Sequence, residues 1–299
     1  MVTIIKEEAL PEFSRIITYG SEVTNPKEVK VRYYNLGFTI WHALLNFDEI
    51  NPQIRILQYV IMPDHVHVLL EITHEMERPL GDYIAVFKRK IFKDALAQGF
   101  IDKTFPRIFQ VGFNDQFLRY SRNLQTLFDY IRENPYRLWI RRVHSEFFSK
   151  ILNSKILDID CCLYGNLALL ENPFIYPVVI HRKDSASELE KKKEIWRYVL
   201  KNGGVLVGAF ISEGENKIFK GAAKYGGHII LISNKTFEKR EKSTGKLFDL
   251  CEKGQLLIIS PKMEFSKMNP VASQKQKISR AECLFMNAFA EKLAAKAGR

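Results

Sequence analysis

The sequence predicts an α/β protein in two parts, residues 1–150 and 151–299. Three observations lead there. Two β-branched runs, "IRILQYVIMP" and "HVHVLLEI", precede a pair of amphipathic helical stretches. Past about residue 150 the texture changes to short apolar runs that alternate with helical patterns, with glycine pairs at two helix ends. A chain of 299 residues also favours two cores over one.

The two early runs read as strands joined tightly at Met62-Pro63-Asp64, since β-branched residues suit a pleated sheet and Pro-Asp suits a turn. "LGDYIAVFKRKIFKDALAQGF" (80–100) has helical spacing. Tyr83, Phe87 and Phe92 fall on or near one face, and Lys88, Arg89 and Lys90 cluster beside it. "SRNLQTLFDYIREN" (121–134) reads as a second amphipathic helix with Ser121 as its N-cap. Leu124, Leu127, Phe128 and Ile131 form its core face, and Pro135 marks its end. Further on, "PFIYPVVIHR", "GGVLVGAFIS", "GGHIILISN" and "GQLLIISP" read as strands, with "SELEKKKEIWRYVLKNG" and "ENKIFKGAAKYG" as helices between them. Strands alternating with helices are the pattern of a parallel sheet.

The net charge of +11 is unevenly placed: +2 over residues 1–150, +9 over 151–299, and +7 between Lys88 and Lys150. A basic chain favours an anionic partner, most often nucleic acid. Cys161, Cys162, Cys251 and Cys283 show no C-x-x-C spacing and read as reduced thiols rather than a disulfide framework or zinc site. The N-terminus is acidic where a signal peptide would be basic, and no apolar run nears the roughly 18 residues a membrane span needs. The expectation is a cytoplasmic protein with no membrane partner.

"YVIMPDHVHVLLEI" (59–72) carries the chemistry. In a strand, residues i and i+2 share a face, so His65 and His67 project together while Val66 and Val68 point the other way. Two imidazoles side by side suit a metal ion, although two unrelated histidines on a half-buried strand would look the same. Tyr130 and Asn134 lie four apart on a predicted helix and stack on one face. A phenol able to attack phosphorus would then adjoin an amide oxygen able to complete a metal site. A tyrosine on such a helix is by itself more often core than catalytic.

"YVIMPDHVHVLLE" followed about 60 residues later by "FDYIRENPYR" resembles the one-tyrosine class of HUH single-strand DNA transposases. More narrowly it is similar to the REP-associated tyrosine transposases, in which an M-P-x-H-x-H-x-L strand precedes a Y-I-x-x-N-P-x-R helix. The resemblance covers roughly residues 10–145. It implies a ferredoxin-like α+β domain with an antiparallel sheet, acting as a homodimer on single-stranded or hairpin DNA. It makes His65 and His67 metal ligands, Asn134 the third ligand, and Tyr130 the nucleophile. The chain departs from the pattern at Gln116, where relatives often carry histidine. Attack by the Tyr130 oxygen would leave a 5′-phosphotyrosine and a free 3′-hydroxyl, so strands can be rejoined without a nucleotide cofactor. A divalent ion, Mg²⁺ or Mn²⁺, would polarise the scissile phosphate. Lys88, Arg89 and Lys90, with Arg119, Arg122, Arg132 and Arg137 around the Tyr130 helix, are the expected phosphate contacts. Tyr83, Phe113 and Tyr120 are the expected stacking residues.

The second part looks like a Rossmann-like domain, similar in the order of its pieces to the DNA-processing protein A and lysine-decarboxylase-like superfamily. His181-Arg182-Lys183 stands where that family has G-S-R, and "ISEGENKIFKGAA" keeps only Gly214 before its helix. No G-x-G-x-x-G fingerprint is present, although Arg182, Lys183 and Lys217 could add charge near an anion. The expectation is a degenerate domain that assists DNA binding or dimerisation. The basic stretches "EKREKSTGK" (238–246) and "SQKQKISR" (273–280) read as solvated loops or as phosphate contacts.

Two functions remain open at this point, and the poor Gly-rich loop argues against a third, a nucleotide-sensing α/β protein with a vestigial first half. One is a transposase-like enzyme that nicks and joins single-stranded DNA, nucleoid-associated when DNA-bound. The other is a domesticated hairpin-DNA-binding protein with little or no cleavage. Retention of His65, His67, Tyr130 and Asn134 together favours the first.

Overall fold

The computed structural model describes every residue except 19–22, 24, 118–123, 236, 238–241, 263–277 and 299. The protein is a mixed α/β chain that divides into two compact units, Met1–Trp139 and Ile140–Arg299. The division falls ahead of the boundary expected near residue 150.

The first unit runs β1 (Val2–Ile5), β2 (Ser14–Thr18), β3 (Val29–Tyr33), α1 (Asn35–Leu45), α2 (Phe47–Ile50), β4 (Ile54–Ile61), β5 (His65–Ile72), α3 (Leu80–Ala97), β6 (Asn114–Asp115) and α4 (Leu124–Val143). Its main sheet has the order β4-β5-β1-β6, antiparallel throughout. With β2 and β3 set apart as a separate ribbon, the path β1-α1-β4-β5-α3-β6 is the βαββαβ of a ferredoxin-like fold.

Strand alternation sends β5 to two different layers. Val66 and Val68 join Val2, Ile4, Ile61 and residues of α1 and α3 in the larger core. Leu69, with Val60 and Met62 of the β4 end, packs on the other side against Leu127 and Ile131 of α4. Ile131 is fully buried, which stabilises the docked helix by about 1.5–3 kcal/mol relative to an exposed side chain. The sheet is thus covered on both faces, and α4 takes the face toward which His65 and His67 point.

Two expectations for this unit need correction. Pro135 does not end its helix: α4 continues to Val143 with the proline inside. The helix survives because apolar packing on both sides of the proline, at Ile131 and Ile140, outweighs the one backbone bond that proline removes. Tyr83 is buried in the core at 5% exposure with the Arg78 guanidinium over its ring, so it presents no face to a base. The Ser121 cap lies outside the described residues.

The second unit runs β7 (Ser149–Ile156), β8 (Ile159–Gly165), β9 (Ile175–Pro177), α5 (Ala186–Lys201), β10 (Val205–Gly208), α6 (Glu213–Tyr225), β11 (His228–Ile232), α7 (Lys246–Glu252), β12 (Leu256–Pro261) and α8 (Arg280–Ala297). Its six-stranded sheet has the order β7-β8-β12-β11-β10-β9. Strands β9 to β12 are parallel. The hairpin β7–β8 adds two antiparallel strands that the sequence pattern did not announce. Its turn residues, Leu157 and Asp158, both have positive φ (53° and 60°). That is the geometry of a two-residue hairpin that normally selects Asn-Gly, and neither residue gives that signal.

Residues of α5, α6 and α7 pack on one face of this sheet, at Trp196, Ala222 and Cys251. Met286, Phe289 and Leu293 of α8 pack on the other. All four cysteines are free thiols, and Cys161, Cys162 and Cys251 are buried. Among the described residues no helix is long and apolar enough to cross a membrane.

Candidate functional site

β5 pairs on one side with β1, where Thr3 stands opposite His67, and on the other with β4, where Val60 stands opposite the same residue. The register therefore sets a hydroxyl beside one imidazole. Thr3 Oγ1 and His67 Nδ1 lie 2.8 Å apart. His65 Nδ1 donates to the Asp64 carboxylate at 2.6 Å. With their outer nitrogens so engaged, the rings turn inward and the two Nε2 atoms lie 3.1 Å apart. His67 is 6% exposed, whereas the His65 side chain keeps 17%.

The partners set the tautomers. An ionised carboxylate only accepts, so Asp64 fixes a proton on His65 Nδ1, and in the neutral ring Nε2 is then the bare nitrogen. The Thr3 hydroxyl both donates and accepts, so it serves His67 with the proton on either nitrogen.

α4 brings its own groups to this pair. The Tyr130 ring meets the His67 ring edge-on at 5.6 Å between centroids. The Arg137 guanidinium lies 5.6 Å from the Tyr130 ring centre and donates to Glu133 at 3.1 Å. Asn134 is buried, and its amide nitrogen donates to the Tyr130 carbonyl one turn back at 2.9 Å. That bond leaves the amide oxygen as the atom on offer to a cation.

The donor set can be tested for fit to a divalent ion. Two nitrogens 3.1 Å apart subtend roughly a right angle at a cation about 2.1 Å from each, the angle between neighbouring ligands of an octahedral ion. The engaged outer nitrogens also match the way metal-bound histidines are oriented. Among the described residues no group of three or more histidine, cysteine or carboxylate side chains could hold a metal. A cation here would rest on two imidazoles and an amide, and imidazole nitrogens suit Mn²⁺ better than the oxygen-preferring Mg²⁺.

The expected DNA contacts fare unevenly. Lys88 donates to the backbone carbonyls of Gln110 and Gly112 and so anchors the loop before β6. Desolvation, and then the nearby Arg107, lower its pKa. Arg89 is exposed. Lys90 pairs with Asp94 at 3.0 Å, and Arg132 pairs with Asp129, both in partly exposed settings. Arg137 belongs to the Tyr130 surroundings instead. Phe113 is half-buried against the core. Gln116 is exposed, and its carbonyl accepts from the N-terminal amine. Arg119, Arg122 and Tyr120 lie outside the described residues, as do 238–241 and 273–277 of the two basic stretches of the second unit.

In that second unit the start of α6, which the sequence offered to an anion, is capped from within. α6 begins with a reciprocal cap in which Glu215 N–H donates to Ser212 Oγ and the Glu215 carboxylate accepts from Ser212 N–H. The other carboxylate oxygen accepts from Ile180 N–H at 3.0 Å. Glu215 is 3% exposed. α5 and α8 start with the same device, at Ser185–Glu188 and Ser279–Glu282.

Sequence reasoning missed Thr3 and Asp64. Asp64 was visible as the residue before His65. Thr3 could be found only from the register of β1 on β5.

No family model matches the chain, and no curated protein matches it. Among solved structures it is similar to a REP-associated tyrosine transposase bound to a REP hairpin, at 17% identity over 46% of this chain, with a TM-score of 0.31. The chain spans 66% of that structure, just under two thirds of its length. This is a distant structural relationship.

Proposed function

We propose that the chain is a transposase-like enzyme that nicks and rejoins single-stranded or hairpin DNA, with Tyr130 as nucleophile. One observation carries the reading. His65 and His67 bring their Nε2 atoms to 3.1 Å of each other, and the Tyr130 ring lies 5.6 Å from that of His67. Two imidazoles held side by side suit a cation that draws in a phosphate, and the adjacent phenol would be the attacking group.

The Tyr130 oxygen forms a bond to phosphorus and gives up its proton. The phosphorus–O3′ bond breaks, and the departing 3′ oxygen takes up a proton. The DNA is left on the enzyme as a 5′-phosphotyrosine, and the reverse attack by a 3′-hydroxyl rejoins it. Arg137, over the Tyr130 ring, places positive charge where the phosphate gains negative charge. His65, His67 and Asn134 would hold Mg²⁺ or Mn²⁺, which when bound supplies Lewis-acid polarisation of the scissile phosphate. Of the expected phosphate contacts that are described, Arg89 and Arg132 are exposed and Lys90 is partly exposed, so these would meet the DNA backbone. One nucleophilic tyrosine per chain calls for two protomers when two strands are cut, which favours a homodimer. The place of work is the cytoplasm, on the nucleoid when DNA is bound.

The test is cleavage of labelled hairpin oligonucleotides with Mg²⁺ or Mn²⁺, read as a covalent adduct on a denaturing gel. Wild type should form the adduct, and Tyr130→Phe or EDTA should remove it while hairpin binding persists. Hairpin binding without an adduct in the wild type would instead favour a domesticated hairpin-binding protein.

A further inference from the structure

α5 and α6 line a groove of about 370 Å³ on the outer side of the second unit. Trp196, Leu200, Ile218 and Ala222 give it an apolar floor. Four cations rim it: Lys193, Arg197 and Lys201 from α5, and Lys217 from α6. No carboxylate lines it. Lys193 pairs with Glu190 at 2.6 Å and Lys217 with Glu213 at 2.8 Å, and both acids lie outside the lining. Glu190 also feels the charge of Arg197.

Two features of this groove work against the stability of the helices that form it. Lys193, Arg197 and Lys201 follow one another at i, i+4 and i+8 and therefore share a face of α5, where like charges at that spacing repel. Gly221 sits inside α6, where glycine is a poor helix former. A Cβ there would meet nothing within 4 Å, so packing does not call for glycine. What its missing side chain does is keep the groove open.

We propose that this groove docks an acidic peptide segment of a partner protein. A large apolar side chain of the peptide fills the floor, and its carboxylates meet the four cations. The charge of the rim is complementary to such a segment, and the apolar floor between the cations suits a flexible side chain carried on the same peptide as the carboxylates. The site is independent of the Tyr130 chemistry.

The experiment uses the full chain and a fluorescein-labelled peptide of four aspartates followed by Leu-Phe, with anisotropy as the readout. Saturable binding is expected. It should weaken several-fold as salt rises from about 0.05 to about 0.3 M, as an exposed charge contact does, and should vanish when Leu-Phe is replaced by Ser-Ser. Gly221→Leu should abolish binding while Tm holds or rises, because the new side chain fills open space and suits a helix. Arg197→Glu should weaken binding roughly tenfold. Absence of saturable binding by wild type would overturn the proposal, as would equal binding of the Ser-Ser peptide or undiminished binding by Gly221→Leu. Displacement of the peptide from wild type by an oligonucleotide of equal charge, as effective as unlabelled peptide, would also overturn it and mark the surface as a general polyanion patch.

Discussion

Thr3 shows how much a single hydroxyl can decide. It sits opposite His67 across β1 and β5 and is the partner of the imidazole nitrogen that faces away from His65. Thr3→Val keeps the branched shape and removes only that partner. The expected result is a roughly tenfold to hundredfold loss of Mn²⁺ affinity by calorimetry, with an unchanged far-UV spectrum. Equal affinity would mean the hydroxyl is idle. At this scale the sequence was legible where spacing alone determines which groups meet. His65 with His67 on a strand, and Tyr130 with Asn134 on a helix, follow from the two periods of regular structure. Thr3 was not legible because register between distant strands is set by the whole hydrophobic pattern and leaves no local mark. Tyr83 was misassigned because an aromatic beside a basic cluster reads the same whether it faces solvent or core.

Among the elements, α4 and the β7–β8 hairpin departed most from expectation. The proline rule stops a helix only when nothing downstream holds it, and Ile140 is 3% exposed beyond Pro135. Pro135→Ala restores the backbone N–H that Ile131 lacks as a partner. It should raise the urea midpoint by an amount equivalent to about 1–3 kcal/mol. A fall instead would mean that α4 needs the proline to seat Asn134. The hairpin turn offers the opposite lesson. Leu157 and Asp158 occupy left-handed conformations that strain residues with a side chain. Replacing the pair by Asn-Gly should stabilise the chain by about 1 kcal/mol in the same denaturation assay. The parallel strands, in contrast, were evident from composition, since buried strands are apolar on both faces.

At the scale of the whole molecule, burial leaves a pH signature. Desolvation raises Cys161 to about 11 and Cys251 to about 12, from an ordinary value of 9.0. Between 9.0 and those values the folded chain keeps protons that the unfolded chain has lost. Their contribution to stability is therefore complete below 9.0 and falls as pH rises toward 11 and 12. Urea midpoints should drop between about pH 8 and about pH 10.5, and a double Cys161→Ala, Cys251→Ala variant should show a shallower drop from its lower starting point. The capped helix starts of the second unit bear on the chain's chemistry as a whole. Glu215 is tethered to the helix end it neutralises, so its effective concentration there is at least millimolar, and it is already desolvated in place. A dissolved phosphate must compete against an inhibitor the protein carries covalently. Binding there would cost the two backbone hydrogen bonds that Glu215 now accepts.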